Sequence, residues 1–162
     1  MKSVLIDTNV LVSALVFPAG VAAQAFRHVA AEQRLALTQQ VIDESSDVVG
    51  RKWPHLLGAL DRFLAGLEYD LLPIAASGMV IRDATDQPIL DAAIGASVDV
   101  ILTGDKDFHD LIIAHPKVMT PRTYLDSKLR TGDGTVSYNS ATEIAFPCSR
   151  RDWRGAVLYQ GC

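Results

Sequence analysis

The stretch VLIDTNVLVSALV, residues 4–16, decides how the fold begins, because a single aspartate separates two apolar runs. The first run is short and rich in branched residues, which is typical of a buried strand, and the second is long enough for a helix. Asp7 therefore lies where a strand gives way to a helix. A carboxylate at the end of a rigid strand is held in a fixed position, which suits a group that binds a ligand.

The bulk properties indicate one globular domain. The chain has 162 residues, of which 49% are hydrophobic, enough for a sizeable core. No stretch reaches the roughly 18 uncharged apolar residues of a membrane span, and the N-terminus lacks the pattern of a leader, so we expect a cytoplasmic protein. Cys148 and Cys162 are too few for a disulfide framework or a thiolate metal site. The net charge of −4 disfavours a uniformly basic nucleic-acid surface but leaves room for a local positive track.

Short apolar runs alternate with segments long enough for helices. The runs are residues 3–6, 35–38, 71–74, 99–103 and 117–119. The predicted helices are residues 8–16, 20–33, 39–51, 54–68, 87–98 and 108–114. This alternation predicts an α/β fold whose parallel sheet is covered on both faces.

The composition changes after residue 126. Residues 127–162 are rich in Ser, Thr and Gly and have no clear helical or strand period. We therefore predict a folded domain over residues 1–126 and a C-terminal extension over 127–162 that is flexible or non-native.

Two aspartates lie just beyond the carboxyl ends of predicted strands. Asp7 follows the first strand and Asp105 follows the fourth. In an open parallel sheet, ligands bind in the crevice beyond the carboxyl ends of the strands. If the first and fourth strands are neighbours, as in the common doubly wound orders, the two carboxylates converge at that edge.

Helical geometry selects a third acid from the segment RDATDQPILDAAIGASV. The apolar face contains Ile89, Leu90, Ala93 and Ala96. Asp86 falls on that side just before the first turn, whereas Asp91 points nearly opposite. Asp86 is also a good N-cap, and a purely capping role is an equally good interpretation of this residue alone.

A fourth acid comes from the segment QQVIDESSDVV. The apolar stripe contains Val41, Ile42, Val48 and Val49. Glu44 flanks this stripe and can face the crevice, whereas Asp43 and Asp47 fall on the far side. Taken alone, Glu44 is better explained as a glutamate that covers the edge of the core.

Carboxylates that converge in a cleft repel one another unless a cation lies between them. Oxygen ligands without accompanying His or Cys favour Mg²⁺ or Mn²⁺ over zinc. Such ions can activate water for attack on a phosphate, so the hydrolysis of phosphodiesters is the natural hypothesis.

Four motifs in order resemble those of the PIN-domain nucleases, over residues 1 to about 125. They are Asp7-Thr8-Asn9, Val41-Ile42-Asp43-Glu44, the helix start Asp86-x-x-Ile89-x-x-x-Ala93, and Thr103-Gly104-Asp105-Lys106-Asp107-Phe108. The likeness is closest to the toxin-type, VapC-like branch. It implies a three-layer α/β/α fold with strand order 3-2-1-4-5, an endoribonuclease that uses Mg²⁺ or Mn²⁺, and a homodimer. It also implies a small antitoxin partner that covers the cleft.

The resemblance also implies roles for individual residues. Asp7, Glu44, Asp86 and Asp105 would form the catalytic, metal-binding quartet, with Asp107 as an auxiliary acid. Asn9 and Thr103 would orient carboxylates or phosphate by hydrogen bonds, and Lys106 would help to hold the RNA. A solvated surface charge is the simpler interpretation of Lys106 alone, and likewise of Arg82 and of the pair Arg51 and Lys52.

Three other classes of protein share parts of this pattern. A haloacid-dehalogenase-type phosphatase needs a second aspartate two residues after the first, where this chain has Asn9. A receiver-like signalling domain needs a phosphoacceptor at the third strand, which LLPIAASG does not provide. A non-catalytic RNA- or protein-binding module on the same scaffold is the third alternative, although it has no need of four mutually repelling carboxylates.

Overall fold

A computed structural model describes residues 1–130 of the chain. Its strands are β1 (Ser3–Ile6), β2 (Arg34–Thr38), β3 (Asp70–Leu72), β4 (Val100–Leu102) and β5 (Lys117–Met119). Its helices are α1 (Thr8–Val16), α2 (Val21–Glu32), α3 (Gln39–Lys52), α4 (Leu57–Ala65), α5 (Gln87–Gly95), α6 (Lys106–His109) and α7 (Pro121–Arg130), and a 3₁₀ turn covers Pro54–Leu56. The described chain is thus a near-regular alternation of strands and helices.

The five strands form one parallel sheet in the order β3-β2-β1-β4-β5. The central strand β1 is fully buried at Val4, Leu5 and Ile6, because apolar helices cover both faces of the sheet. The predicted three-layer α/β/α fold and its strand order are confirmed.

The start of β1 is fixed against the start of β4 by side-chain hydrogen bonds. The Asp99 carboxylate accepts from the backbone N–H of Ser3 at 2.8 Å, and the backbone N–H of Asp99 donates to Ser3 Oγ at 3.1 Å. These bonds fix the register in which Ile6 lies opposite Leu102 at the other end of the two strands. That register decides which residues meet just beyond the sheet edge.

Two predicted helices end early for local reasons. The helix predicted over residues 87–98 ends at Gly95, and Ser97 then adopts a left-handed φ of 52°. The helix predicted over 54–68 is divided into the 3₁₀ turn and α4, and α4 ends before Gly66.

The helix predicted over residues 108–114 is wrong. The structure instead has the short helix α6, which begins at Lys106 because the Asp105 carboxylate caps it through the backbone N–H of Asp107. Beyond α6 the chain is not helical: Leu111 and Ile113 are partly buried against the core, whereas Ile112 between them is 99% exposed. The third strand also differs slightly: it covers Asp70–Leu72 rather than residues 71–74.

The sequence pattern did not predict α7. This helix packs on α2, where Tyr124 is buried and its hydroxyl lies 3.0 Å from Nδ1 of His28. Because α7 continues past residue 126, ordered structure extends beyond the predicted domain boundary. Of the extension predicted over residues 127–162, residues 131–162 lie outside the described residues, and its flexible or non-native character stays a prediction.

Within residues 1–130, no single helix is long and apolar enough to cross a membrane. The pair α1 and α2, bent by 106°, passes that test only when its two helices are taken together.

The aromatic pair between α2 and α4 allows a matched test of the core. Phe26 and Phe63 are both buried, with ring centroids 5.2 Å apart. We expect Phe26→Ala to lower the free energy of unfolding by about 3–5 kcal/mol, because it leaves a cavity between the helices. Phe17→Ala removes the same side chain where it is 58% exposed and should change stability by less than about 0.5 kcal/mol. Urea denaturation measures both, and equal losses in the two variants would contradict this account of the core.

Candidate active site

Asp7 lies at the carboxyl end of the central strand. Its backbone N–H donates to the carbonyl of Leu102 at 3.1 Å, which extends the β1–β4 pairing by one bond. The side chain of Asp7 therefore meets Thr103, whose Oγ1 donates to Asp7 Oδ2 at 2.6 Å. The other carboxylate oxygen accepts from the backbone N–H of Thr8 at 2.7 Å. Both oxygens of Asp7 are thus held in place.

Burial and neighbouring acids act on Asp7 in the same direction. Only 3% of the residue is exposed, and burial is the main reason why its pKa rises from 3.8 to about 6. The bonds from Thr103 and Thr8 lower the pKa in part, and the charges of Glu44 and Asp105 raise it further. The strand thus presents a carboxylate that is costly to ionise in the absence of a cation.

Thr8 connects Glu44 to this strand end. Its Oγ1 donates to Glu44 Oε2 at 2.7 Å, across a sequence separation of 36 residues. Glu44 itself is exposed on α3, whereas Thr8 is buried at the first position of α1. The structure therefore turns the carboxylate of Glu44 towards Asp7.

Thr103 connects Asp105 to the same place. Besides donating to Asp7, Thr103 Oγ1 accepts from the backbone N–H of Asp105 at 2.9 Å. Asp105 and Asp107 are both half-buried, at the start of α6. One buried hydroxyl thus joins the ends of β1 and β4.

Asp86 lies at the N-cap position of α5, but its side chain makes no capping hydrogen bond there. The capping interpretation of its carboxylate is therefore wrong, because the backbone at Asp86 is already helical rather than extended. Burial raises the pKa of Asp86 from 3.8 to about 7, and the charges of Asp7, Asp105, Asp83 and Glu44 add to that rise. The charge of every other acid of the predicted quartet thus raises the pKa of the half-buried Asp86.

Comparison with known proteins identifies the family of the chain. A family model described as the PIN domain matches residues 3–107. The chain belongs to the PIN domain family. The members of this family are nucleases.

A solved structure shares the fold. The crystal structure of VapBC2 from Rickettsia felis, bound to a DNA fragment from their promoter, contains a chain similar to this one, with a TM-score of 0.56 and 18% sequence identity. The similarity covers 73% of this chain and 98% of that chain. No curated protein matches the sequence.

The acids of this PIN domain suit a hard divalent cation. The donors are carboxylate oxygens, and the pKa values of Asp7 and Asp86 are raised partly by their neighbours' charges, a conflict that a cation relieves. Across residues 1–130, however, no three Asp, Glu, His or Cys side chains are already close enough to hold one ion. The carboxylates therefore lie within electrostatic range of one another, without forming a ready-made ligand cluster among these residues.

The remaining predicted site residues lie around this cluster. Asn9 is exposed at the start of α1, and Lys106 is exposed beside Asp105. Arg82 Nη1 lies 3.9 Å from Asp107 Oδ1, so a cation stands at the rim of the acidic cluster. The structure brings these groups to one edge of the sheet, and their individual roles stay predictions.

Two features of the site are not predicted from the sequence. The contact of Thr8 with Glu44 joins residues far apart in sequence, and its signal in the sequence is the position of Thr8 beside Asp7. The second feature is the hydrogen bonding of Asp91. Its Oδ1 accepts from the backbone N–H of Ser77 at 3.0 Å, from Ser77 Oγ at 2.5 Å and from Gln87 Nε2 at 3.0 Å.

The raised pKa values predict how stability depends on pH without metal. Asp7 and Asp86 keep protons in the folded state that the unfolded chain releases near pH 4, so stability should fall as pH rises from about 4 to about 7. In EDTA at pH 8, Asp7→Asn should therefore raise the free energy of unfolding by about 1–3 kcal/mol. It should also flatten the fall in stability between pH 4 and 7, as measured by urea denaturation.

The control is Asp61→Asn, which neutralises an exposed aspartate on α4. It should change stability at pH 8 by less than about 0.5 kcal/mol. If Asp7→Asn destabilises the metal-free protein at pH 8, the buried carboxylate is not under electrostatic strain.

Proposed function

We propose that this PIN domain is a metal-dependent ribonuclease that hydrolyses RNA phosphodiester bonds. The observation that carries the proposal is the convergence of Asp7, Glu44, Asp86 and Asp105 at the carboxyl edge of the sheet. The four acids are close enough there to interact electrostatically, and the pKa values of Asp7 and Asp86 are raised. A fold that needed only stability would separate these charges.

The roles of the residues follow from their surroundings. Asp7 is the fixed central ligand, because both its oxygens are held by hydrogen bonds to Thr8 and Thr103. Glu44 and Asp105 are the lateral ligands. Glu44 accepts from the hydroxyl of Thr8, whose backbone N–H donates to Asp7. The backbone N–H of Asp105 donates to the Thr103 hydroxyl, which itself donates to Asp7. Asp86 makes no capping bond and is available to complete the set. Bound Mg²⁺ or Mn²⁺ would activate water and neutralise charge on the phosphate.

Basic and polar groups around the acids suit a polyanionic substrate. Lys106 and Arg82 are exposed next to Asp105 and Asp107, so they can contact phosphates on either side of the scissile bond. Asn9 is exposed beside Asp7 and can orient a phosphate by hydrogen bonding. Contacts of this kind would bind the phosphate backbone of the RNA and would not select its base sequence.

We also propose that the chain is the toxin of a toxin–antitoxin pair, acting as a homodimer in the cytoplasm. The support is the resemblance of the motifs to the toxin-type branch and the similar fold found in the VapBC2 complex. A small antitoxin would cover the acidic cleft and prevent access of RNA. Co-expression with a candidate antitoxin and purification of the complex tests this part of the proposal.

A second candidate function is a non-catalytic module that has the PIN fold and binds RNA or protein without cleaving RNA. It is favoured by the finding that no ready-made ligand cluster exists within residues 1–130. The two functions differ in whether neutralising one acid abolishes an activity or only changes an affinity.

Cleavage of a mixed panel of structured and unstructured RNAs separates the two functions. Purified protein, free of any antitoxin, should cleave with Mg²⁺ or Mn²⁺ and not in EDTA. Asp7→Asn should lower the rate by a factor on the order of 100 or more, because it removes the ligand that is shared by the whole cluster.

The matched control comes from adjacent positions on α3. Glu44→Gln should reduce cleavage strongly, whereas Asp43→Asn should not, since the Asp43 carboxylate accepts from Gln39 on the outer face of the same helix. Folded wild-type protein that cleaves no RNA with either ion would favour the binding module, and equal activity of Asp7→Asn would refute the assignment of the site.

A further inference from the structure

One side chain joins the two helices that carry Glu44 and Asp86. Gln40 lies on the first turn of α3, and its Nε2 donates to the backbone carbonyl of Thr85 at 2.6 Å. Thr85 immediately precedes Asp86 in the sequence. The bond therefore spans the cleft between α3 and the loop that leads into α5.

Gln40 and Glu44 are one helical turn apart, so their side chains leave the same face of α3. The hydrogen bond to Thr85 thus connects the loop to the part of α3 that also presents Glu44. A change in this bond would alter the spacing between Glu44 and Asp86 rather than the position of either helix as a whole.

The loop next to Asp86 behaves as one small unit. The Asp83 carboxylate accepts from the backbone N–H of Thr85 at 2.9 Å and also from its hydroxyl. The backbone N–H of Asp86 donates to the carbonyl of Asp83 at 3.1 Å. Because Asp83, Thr85 and Asp86 are held together, a restraint on Thr85 is also a restraint on Asp86.

The preceding segment, residues 77–81, is attached to α5. Gln87 Nε2 donates to the carbonyl of Met79 at 2.7 Å, and Gln87 Oε1 accepts from the backbone N–H of Ile81 at 3.1 Å. Asp91 holds Ser77 one turn further along. Within the segment Ile81 is 3% exposed and packs in the hydrophobic core, whereas Val80 is 80% exposed. Hydrogen bonds to α5 and the buried Ile81 thus hold one side of the loop, and Gln40 holds the side that faces α3.

The amide of Gln40 is a poor choice for stability alone. Its Oε1 is buried and accepts no hydrogen bond within residues 1–130, which is unfavourable for folding. The reverse orientation of the amide would place this oxygen against the carbonyl oxygen of Thr85. The side chain therefore makes its hydrogen bond to Thr85 while its unpaired oxygen lowers the stability of the fold.

We propose that Gln40 is a positioning residue, which braces the Asp86 loop against α3 and so sets the separation of Glu44 and Asp86. The consequence for metal binding rests on the proposed function, in which these two acids share a cation. The brace itself is a property of the loop and can be measured without metal.

The test compares Gln40→Met with Gln39→Met. Methionine has the length of glutamine but donates no hydrogen bond, and Gln39 is an exposed neighbour whose side chain donates to Asp43 within α3. In metal-free protein, the Asp86 amide should exchange its hydrogen about 10-fold faster in Gln40→Met than in Gln39→Met. Stability in urea should not fall in Gln40→Met, because the unpaired buried oxygen is removed as well.

The second readout is the binding of Mn²⁺ alone, followed by electron paramagnetic resonance. Gln40→Met should weaken binding about 10-fold, and Gln39→Met should leave it unchanged. Unchanged amide exchange and unchanged Mn²⁺ affinity in Gln40→Met would overturn the proposal while leaving the nuclease assignment intact. Wild-type protein that binds no Mn²⁺ would overturn the proposed function instead, and amide exchange would then still decide for or against the brace.

Discussion

The structure depends on the burial of one carboxylate at the end of its central strand. Asp7 is 3% exposed, and it is brought there by the register of β1 with β4. A buried carboxylate must be hydrogen-bonded or must hold its proton. The backbone N–H of Thr8 and the hydroxyl of Thr103 supply the hydrogen bonds. The Thr8 hydroxyl also donates to Glu44, and the Thr103 hydroxyl also accepts from the backbone N–H of Asp105. The geometry of the site is thus a consequence of satisfying Asp7.

The remaining conflict is between charges rather than hydrogen bonds. Asp86 approaches the cluster without a capping bond of its own, and its pKa rises to about 7. Protein folds normally separate like charges, so an arrangement that keeps them together costs stability. A divalent cation reverses the sign of that cost, because each carboxylate that repels its neighbours then becomes a ligand. The same feature that strains the metal-free fold is what fits it for binding a cation.

The sequence was informative where regular structure controls position. Asp7 and Asp105 follow buried strands, and parallel strands end at one edge, so their meeting could be predicted once β1 and β4 were assumed to be neighbours. Asp86 and Glu44 could be selected by helical angles. The interpretation of the Asp86 carboxylate as a helix cap was wrong, because the backbone conformation at a helix start depends on the loop that precedes it.

The sequence was uninformative where loops and side-chain rotamers control position. The bond between Thr8 and Glu44 depends on how two helices pack. The bond between Gln40 and Thr85 depends on the path of residues 73–86, which have no strand or helix period. The apolar residues after Phe108 are spaced as in a helix, but Leu111 and Ile113 pack against the core from a non-helical segment in which Ile112 is exposed.

The central claim is that the converged carboxylates of this PIN domain exist to bind a divalent cation. Because Asp7 and Asp86 have pKa values of about 6 and about 7, part of the population is protonated at pH 6.5, and a cation must displace those protons. The most direct measurement is calorimetric titration with Mn²⁺ at pH 6.5 and pH 8.5, in buffers of different ionisation enthalpy. The account predicts the release of about one proton for each ion bound at pH 6.5 and almost none at pH 8.5. Binding without proton release at pH 6.5, or no binding at either pH, would contradict it.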